Sequence, residues 1–388
     1  MFMTCSDGGK VPQRHGTMNR LRRIAGVFVL LLVAATIRVR TRDLPEFRSD
    51  SSAGLRGVFH IHSDASHDGR VPYEELIEAG RLLDVDFLVF TEHNRRPDRL
   101  QPQGGPVVVS GTELSTASGH LIQIGLDTVP RKAMRDSTGL VAYLHENGAL
   151  AIASHPESPK RPWTGPDSAL NGFEIASSSA DLRVKMVRSY VGLAGPLAAY
   201  PINRVLALAQ LYRRDDAALA RWDAQPDPSV IGICGTDTHG WIAPHLQYRT
   251  WQIVLDPWNQ PPHSVTPDDV INRLAEGRFI CLASLLTGGT PQFRFIAEGN
   301  GRIASQGSSI STDSVSRIVV SAPILAGLPA TIVLLRDGVP VFQTEESPLV
   351  YTAVESGTYR VEVRARLPRL LWGSFEVPVL YSNRIRLN

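Results

Sequence analysis

The sequence predicts an α/β domain followed by an all-β domain, behind a short hydrophobic N-terminal segment. The first observation is the stretch 57–94, where a strand-like run, an amphipathic helix and a second apolar run succeed one another. Strand and helix signals then keep alternating to about Leu282, the rhythm of βαβ units. Beyond about residue 287 helical periodicity disappears, and short β-rich runs alternate with Gly, Pro, Ser and Asp turns. The expected organisation is a basic tail at 1–23, an apolar segment at 24–37, a linker at 38–55, the α/β domain at 56–284 with a helical insertion at 181–225, and the β domain at 287–388.

The N-terminal tail ends in Arg20, Arg22 and Arg23, and the run IAGVFVLLLVAATI from Ile24 to Ile37 carries no charge. It is shorter than the ~20 residues that comfortably span a bilayer. A basic region before an apolar core of this size is the pattern of a secretory signal or a signal anchor, and the lack of a following A-x-A site favours an uncleaved anchor. The expectation is a membrane-anchored or exported protein whose large domain lies outside the cytoplasm. Residues 43–55 show no periodicity and read as the join to that domain.

The α/β domain opens with Val58-Phe59-His60-Ile61-His62. Side chains alternate along a strand, so His60 and His62 leave it on one side. A loop carrying His67 and Asp68 leads to a helix with Pro72 at its first turn and Leu76, Ile77, Gly80 and Leu83 on one stripe. A second strand at 86–90 ends in Thr91-Glu92-His93-Asn94. A third at 106–110 ends in Gly111-Thr112-Glu113, and His120 lies on a fourth at 120–125. A helix near 139–147 leads into a strand at 149–154, followed by His155-Pro156, and 172–175 is a further short strand. Residues 181–222, Leu/Ala-rich with Pro196 and Pro201, read as an inserted helical pair that caps or flanks the domain. The strand at 229–235 ends in Thr236-Asp237-Thr238-His239-Gly240, and a helix at 267–277 and a strand at 279–282 complete the series. In the β domain, runs at 317–320, 330–335, 349–352 and 358–363 predict a β-sandwich with no catalytic constellation.

At 388 residues, 43% hydrophobic and 20% charged, the chain has the composition of an ordinary globular protein. A net charge of +2 gives no electrostatic footprint for a nucleic-acid partner. Three cysteines, Cys5, Cys234 and Cys281, form neither a disulfide framework nor a zinc ribbon, so metal chemistry here must rest on nitrogen and oxygen ligands.

His60, His62, Asp68, His93, Glu113, His120, His155, Asp237 and His239 all fall at or just past the end of a predicted strand, or on the loop leaving it. In barrels of strand–helix units the catalytic groups gather at that edge. Imidazole and carboxylate without thiolate suit Zn, Mn or Fe, and nine such residues exceed what one ion with an open position can use. Two or three divalent ions are expected, with Glu113 or an aspartate as bridge. Such ions turn water into hydroxide at neutral pH and neutralise charge on a phosphoryl group.

The ordered motifs H-x-H-S, D-G, T-E-H-N, G-x-E, S-H-P and G-x-D-x-H resemble those of the PHP superfamily, named after its polymerase and histidinol phosphatase domains, over about Gly57 to Leu282. The resemblance implies a distorted (β/α)7 TIM-like barrel with a trinuclear metal site that hydrolyses phosphomonoesters or phosphodiesters. It assigns His60, His62, Glu113 and Asp237 to a first metal, Asp68, His93 and His155 to the others, and His239 as the completing ligand. Glu113, Asp237 and His239 would be the catalytic set. His120 lies in a G-H-L-I-Q-I-G segment similar to that of phosphoesterase members. Glu92 stands where many members have aspartate, at a position that is not usually a ligand.

Arg70 and Arg95, with Arg96, follow the metal loops and are candidates for bidentate phosphate binding. His67 either contacts substrate or faces water, Glu174 either touches the site or is structural, and His145 is expected to be solvated. Two rival functions stand beside a phosphoesterase. An amidohydrolase-like enzyme also begins with H-x-H, but many of those bridge metals with a carboxylated lysine, and none of Lys10, Lys132, Lys160 and Lys185 lies at a strand end. The other is a metal-loaded scaffold whose sandwich binds envelope polymers.

Overall fold

The first strand has no exposed residue. β1 (Leu55–Ile61) is buried along its whole length, as a strand covered on both faces must be. The computed structural model of the protein describes residues 54–96, 101–188, 203–256, 265–287, 292–322, 329–368 and 373–388, together with positions within 23–33 and 196–201. α1 (Tyr73–Leu82) lays Leu76, Ile77 and Gly80 against the sheet, and β2 (Phe87–His93) and β3 (Val107–Thr116) follow parallel to β1. The chain then doubles back. β4 (Gly119–Ile124) runs antiparallel to β3 and to β5 (Leu150–Ala153), which follows α2 (Leu140–Glu146). Parallel pairing resumes with β6 (Gly172–Ser177) and β7 (Ile231–Gly235).

The seventh strand returns to the first. The Thr236 N–H donates to the Phe59 carbonyl at 2.9 Å, and the His62 N–H donates to the Thr238 carbonyl at 3.0 Å. This places the carboxyl ends of β1 and β7 side by side. The crossover from β6 to β7 contains α3 (Ser178–Arg188), α4 (Arg204–Ala209) and α5 (Asp216–Asp223). Where a helical pair was expected, three described helices occur, and α5 packs directly on β6 and β7 through the fully buried Trp222. The stretch therefore covers the sheet as an ordinary crossover layer does.

β8 (Gln252–Leu255), which the sequence did not signal, pairs antiparallel with β1, and β9 (Phe279–Leu282) follows α6 (Pro267–Ala275) and pairs with β8. Four residues including a polar one, beside Asp256 and Pro257, are too few to show a period.

The C-terminal region is mainly antiparallel β structure, with one parallel pair between its strands at Ser309–Ile310 and Ile385–Leu387. β10 (Arg294–Gly299), β11 (Arg302–Ser305), β13 (Arg317–Ser321) and β16 (Leu349–Tyr351) form one sheet. The other holds β12 (Ser309–Ile310), β14 (Ala330–Arg336), β15 (Val339–Thr344), β17 (Gly357–Pro368), β18 (Ser374–Ser382) and β19 (Ile385–Leu387). β18 hydrogen-bonds to β9, so this second sheet continues the first domain's sheet. An ionic cluster reinforces the join: Arg360 makes two bonds of 2.7 Å to Asp223 on α5, and Arg214 makes two of 2.9 Å to Glu362.

No helix among the described residues is long and apolar enough to cross a membrane. Half of the expected anchor at 24–37 and most of the linker at 38–55 lie outside the described residues; within the anchor Ile24, Val27, Val29, Leu30, Leu31 and Val33 are helical and exposed.

Candidate metal centre

Each strand end delivers its side chains to one place. His60 is the penultimate residue of β1 and His62 follows the strand, with both rings fully buried and their centroids 5.0 Å apart. His93, the last residue of β2, lies in register with Glu113 of β3. His120 corrects the expectation that every candidate follows a carboxyl end. It sits at the amino end of β4, and because β4 runs antiparallel that end lies on the same edge, opposite Ser115. His155 follows β5, and Asp237 and His239 follow β7.

Glu113 is the centre of the arrangement. Its Oε2 lies 3.4 Å from His60 Nε2, 3.3 Å from His62 Nε2 and 3.1 Å from His93 Nδ1. Its Oε1 lies 3.0 Å from His120 Nδ1 and 3.1 Å from His155 Nε2, and accepts from Ser154 Oγ at 2.7 Å. Asp237 Oδ1 approaches His60, His62 and His239 at 3.6, 3.5 and 3.3 Å. Asp68, half exposed at the rim, reaches His93 at 3.5 Å and His239 at 3.3 Å. Exposed His67 groups with Asp68 and His93 there.

Burial alone would raise the Glu113 and Asp237 carboxyls, but the imidazoles around them, His60 foremost for Glu113 and His239 for Asp237, hold both well below the usual carboxylate range. His60 moves the other way: burial opposes its protonation, yet Glu174, Glu113 and Asp237 push it well above the ordinary imidazole value.

Residues behind the candidate ligands set their orientation. Glu174 Oε1 accepts from His60 Nδ1 at 2.9 Å, which leaves Nε2 for the centre. Glu92, fully buried, accepts from the Ser63 amide and hydroxyl and from Ser66 Oγ at 2.6 Å. With its proton committed to Glu92, Ser66 Oγ accepts from the His93 amide at 3.0 Å and from His62 Nδ1 at 3.3 Å. His62 Nε2 is thereby turned inward too. The backbone is bent to the same end: φ is +66° at His60, +31° at His155 and +49° at Asp237. Such left-handed residues cost on the order of 1–3 kcal/mol each and persist where the surroundings over-determine them.

The donor set fits divalent ions. His60 Nε2, His62 Nε2, His93 Nδ1, Glu113 Oε2 and His239 Nε2 are buried without a hydrogen-bond partner. Each such atom costs about 1–3 kcal/mol unless something satisfies it. Two buried or mostly buried groups, His60–Glu113–His155–Asp237 and His62–His93–His239, each place one ligand atom per residue within 4.8 Å of the others.

Of the arginine candidates, Arg70 is exposed and stacks on exposed Trp241, 3.6 Å above the ring, Arg95 is exposed, and Arg96 donates to the Leu126 carbonyl at 2.9 Å. Exposed His145 bonds to Asn171. Cys234 and Cys281 are buried thiols. The sequence did not single out Ser66 or Arg183, whose Nη2 lies 3.3 Å from Asp237 Oδ2, and Ser154 stood there only as the first residue of S-H-P. A carboxylate inside the apolar run Gly172-Phe173-Glu174-Ile175 was a visible signal for Glu174. Nothing in the sequence marked Arg183.

No family model and no curated protein matches the chain. Among solved structures it is similar to a two-domain protein containing a predicted PHP-like metal-dependent phosphoesterase from Bacteroides vulgatus, with 11% sequence identity and a TM-score of 0.38, over 87% of this chain and 99% of that one.

Proposed function

We propose that this chain is a PHP-type metal-dependent phosphoesterase that hydrolyses a phosphomonoester or phosphodiester with two or three divalent ions, its seven strands a distorted barrel and its C-terminal sheets a sandwich. The observation that carries the reading is Glu113, whose two oxygens each face a different set of imidazoles. A single carboxylate divided in this way is suited to bridge ions.

In this reading His60, His62, Glu113 and Asp237 would hold one ion, Glu113 with His120 and His155 would serve a second, and Asp68, His93 and His239 would serve a third. Such ions acidify water to a nucleophile near neutral pH and neutralise charge on phosphoryl oxygens. The chain's own work is orientation and exclusion of water. Glu174 and Ser66 fix which nitrogens of His60 and His62 face inward. The His239 Nδ1–H bonds to the Asp237 carbonyl at 2.8 Å, which leaves Nε2 for the rim beside Asp68. The bridging position is filled by glutamate, and the Lys132 and Lys160 side chains are exposed, which favours this reading over a lysine-bridged amidohydrolase. The exposed apolar side chains within 24–33 support an anchored or exported protein.

The test is release of nitrophenol from nitrophenyl phosphate and bis-nitrophenyl phosphate by the full chain, with added Mn or Zn and with chelator. Metal-dependent, chelator-sensitive release is expected. Silence on both esters from protein that holds two or three ions per chain would overturn the reading and favour the scaffold alternative.

A further inference from the structure

We infer that Arg183 is the residue that binds the phosphoryl group of the substrate, an assignment that rests on the phosphoesterase reading. The observation is the division of Asp237. Its Oδ1 faces His60, His62 and His239, whereas its Oδ2 faces Arg183 Nη2 at 3.3 Å. One oxygen serves the candidate metal centre and the other a guanidinium, so both can be held at once.

Arg183 is placed there by its helix. Ser179, one turn earlier on α3, donates from Oγ to the Asp237 carbonyl at 2.6 Å. Residues four apart share a helix face. Gln247 donates to Ser179 Oγ at 3.3 Å and to the Thr236 carbonyl at 3.0 Å, and Asp181 accepts from the Arg213 amide at 3.3 Å. These bonds fix the first turns of α3 against the β7 end, and the face that carries Ser179 carries Arg183 over Asp237.

The side chain of Arg183 is 36% exposed while that of Asp237 is 1% exposed. The guanidinium therefore stands at the mouth, between solvent and the buried ligands. Its contact with Asp237 lacks hydrogen-bond alignment, as Asp237 Oδ2 has no hydrogen-bond partner. An arginine in this position presents a planar fork of donors that matches two oxygens of a phosphate. Among the described residues, Arg183 is the guanidinium that lies on a carboxylate of the cluster. Arg70, by contrast, is stacked on Trp241.

The experiment measures binding of inorganic phosphate to the metal-loaded full chain by calorimetry, beside metal content and the KM for nitrophenyl phosphate. In Arg183→Ala, phosphate binding is expected to weaken about thirtyfold or more, with KM raised and metal content unchanged. Arg183→Lys should recover part of the affinity, because it keeps the charge and loses the fork. Unchanged phosphate affinity in Arg183→Ala, or loss of metal from it, would overturn the inference. If the parent protein binds phosphate through Arg183 yet cleaves neither ester, the phosphoesterase reading fails and the anion site stands.

Discussion

Glu174 ties two ligands of the candidate centre together: Oε1 lies 2.9 Å from His60 Nδ1, and Oε2 accepts the His155 amide at 2.7 Å. β1 and β5 do not pair with each other, so this buried carboxylate on β6 spaces their ends across the sheet.

Replacing Glu174 with Gln should therefore weaken metal binding by about 10–100-fold while leaving the chain folded, because the first ligands survive and their orientation does not. Metal titration followed by Tm measurement reads both effects. Metal affinity equal to that of the parent would mean that Glu174 only fills space.

Gly235 is required for the same contact. A Cβ added there would stand 2.1 Å from Glu174 Oε1 and 2.8 Å from the His60 Cβ. Gly235→Ala is expected to displace both, and to reduce bound metal at least as far as Glu174→Gln does. The two variants combined should be no worse than Gly235→Ala alone, since they act on one contact.

Chelation should lower Tm, and re-addition of Zn or Mn should restore it in a concentration-dependent way. An ion present at 100 times its Kd contributes about 2.7 kcal/mol. Glu113→Gln should lose more bound metal than His120→Ala, because Glu113 touches both sets of imidazoles. Asp237→Asn and His62→Ala should each abolish ester hydrolysis with the far-UV spectrum unchanged; activity retained in both would remove this site from the mechanism.

The acid limb of stability should report the domain join. Burial alone would raise the Glu362 carboxyl, but Arg214, Arg360 and Arg364 hold it down at about 2, against an ordinary value of 4.5. A carboxyl depressed on folding stabilises the protein above its unfolded pKa and loses that contribution as pH falls through the folded value. The loss falls between pH 4.5 and about 2 and is on the order of 3 kcal/mol. Glu362→Gln should be less stable at neutral pH and show a flatter decline of Tm across that window; parallel curves for the two proteins would contradict the assignment.

The α/β character, the change to β structure beyond residue 287 and the residues that the fold gathers into the candidate centre were legible in the linear pattern. A strand repeats every two residues and a helix every 3.6, so apolar runs and their spacing announce many of the elements, though not β8. Polar side chains at the ends of apolar runs likewise stand out as candidates, which is why His60, His62, Glu113 and Asp237 were visible before any fold. The direction of β4 was not, because a strand pattern reads the same both ways, and that direction alone carries His120 to the ligand edge. The partners of Glu174 and Arg183 depend on contacts spanning 114 positions to His60 and the separation of α3 from Asp237. Periodicity records local geometry, whereas such long-range pairings exist only once β6, α3 and β7 have packed.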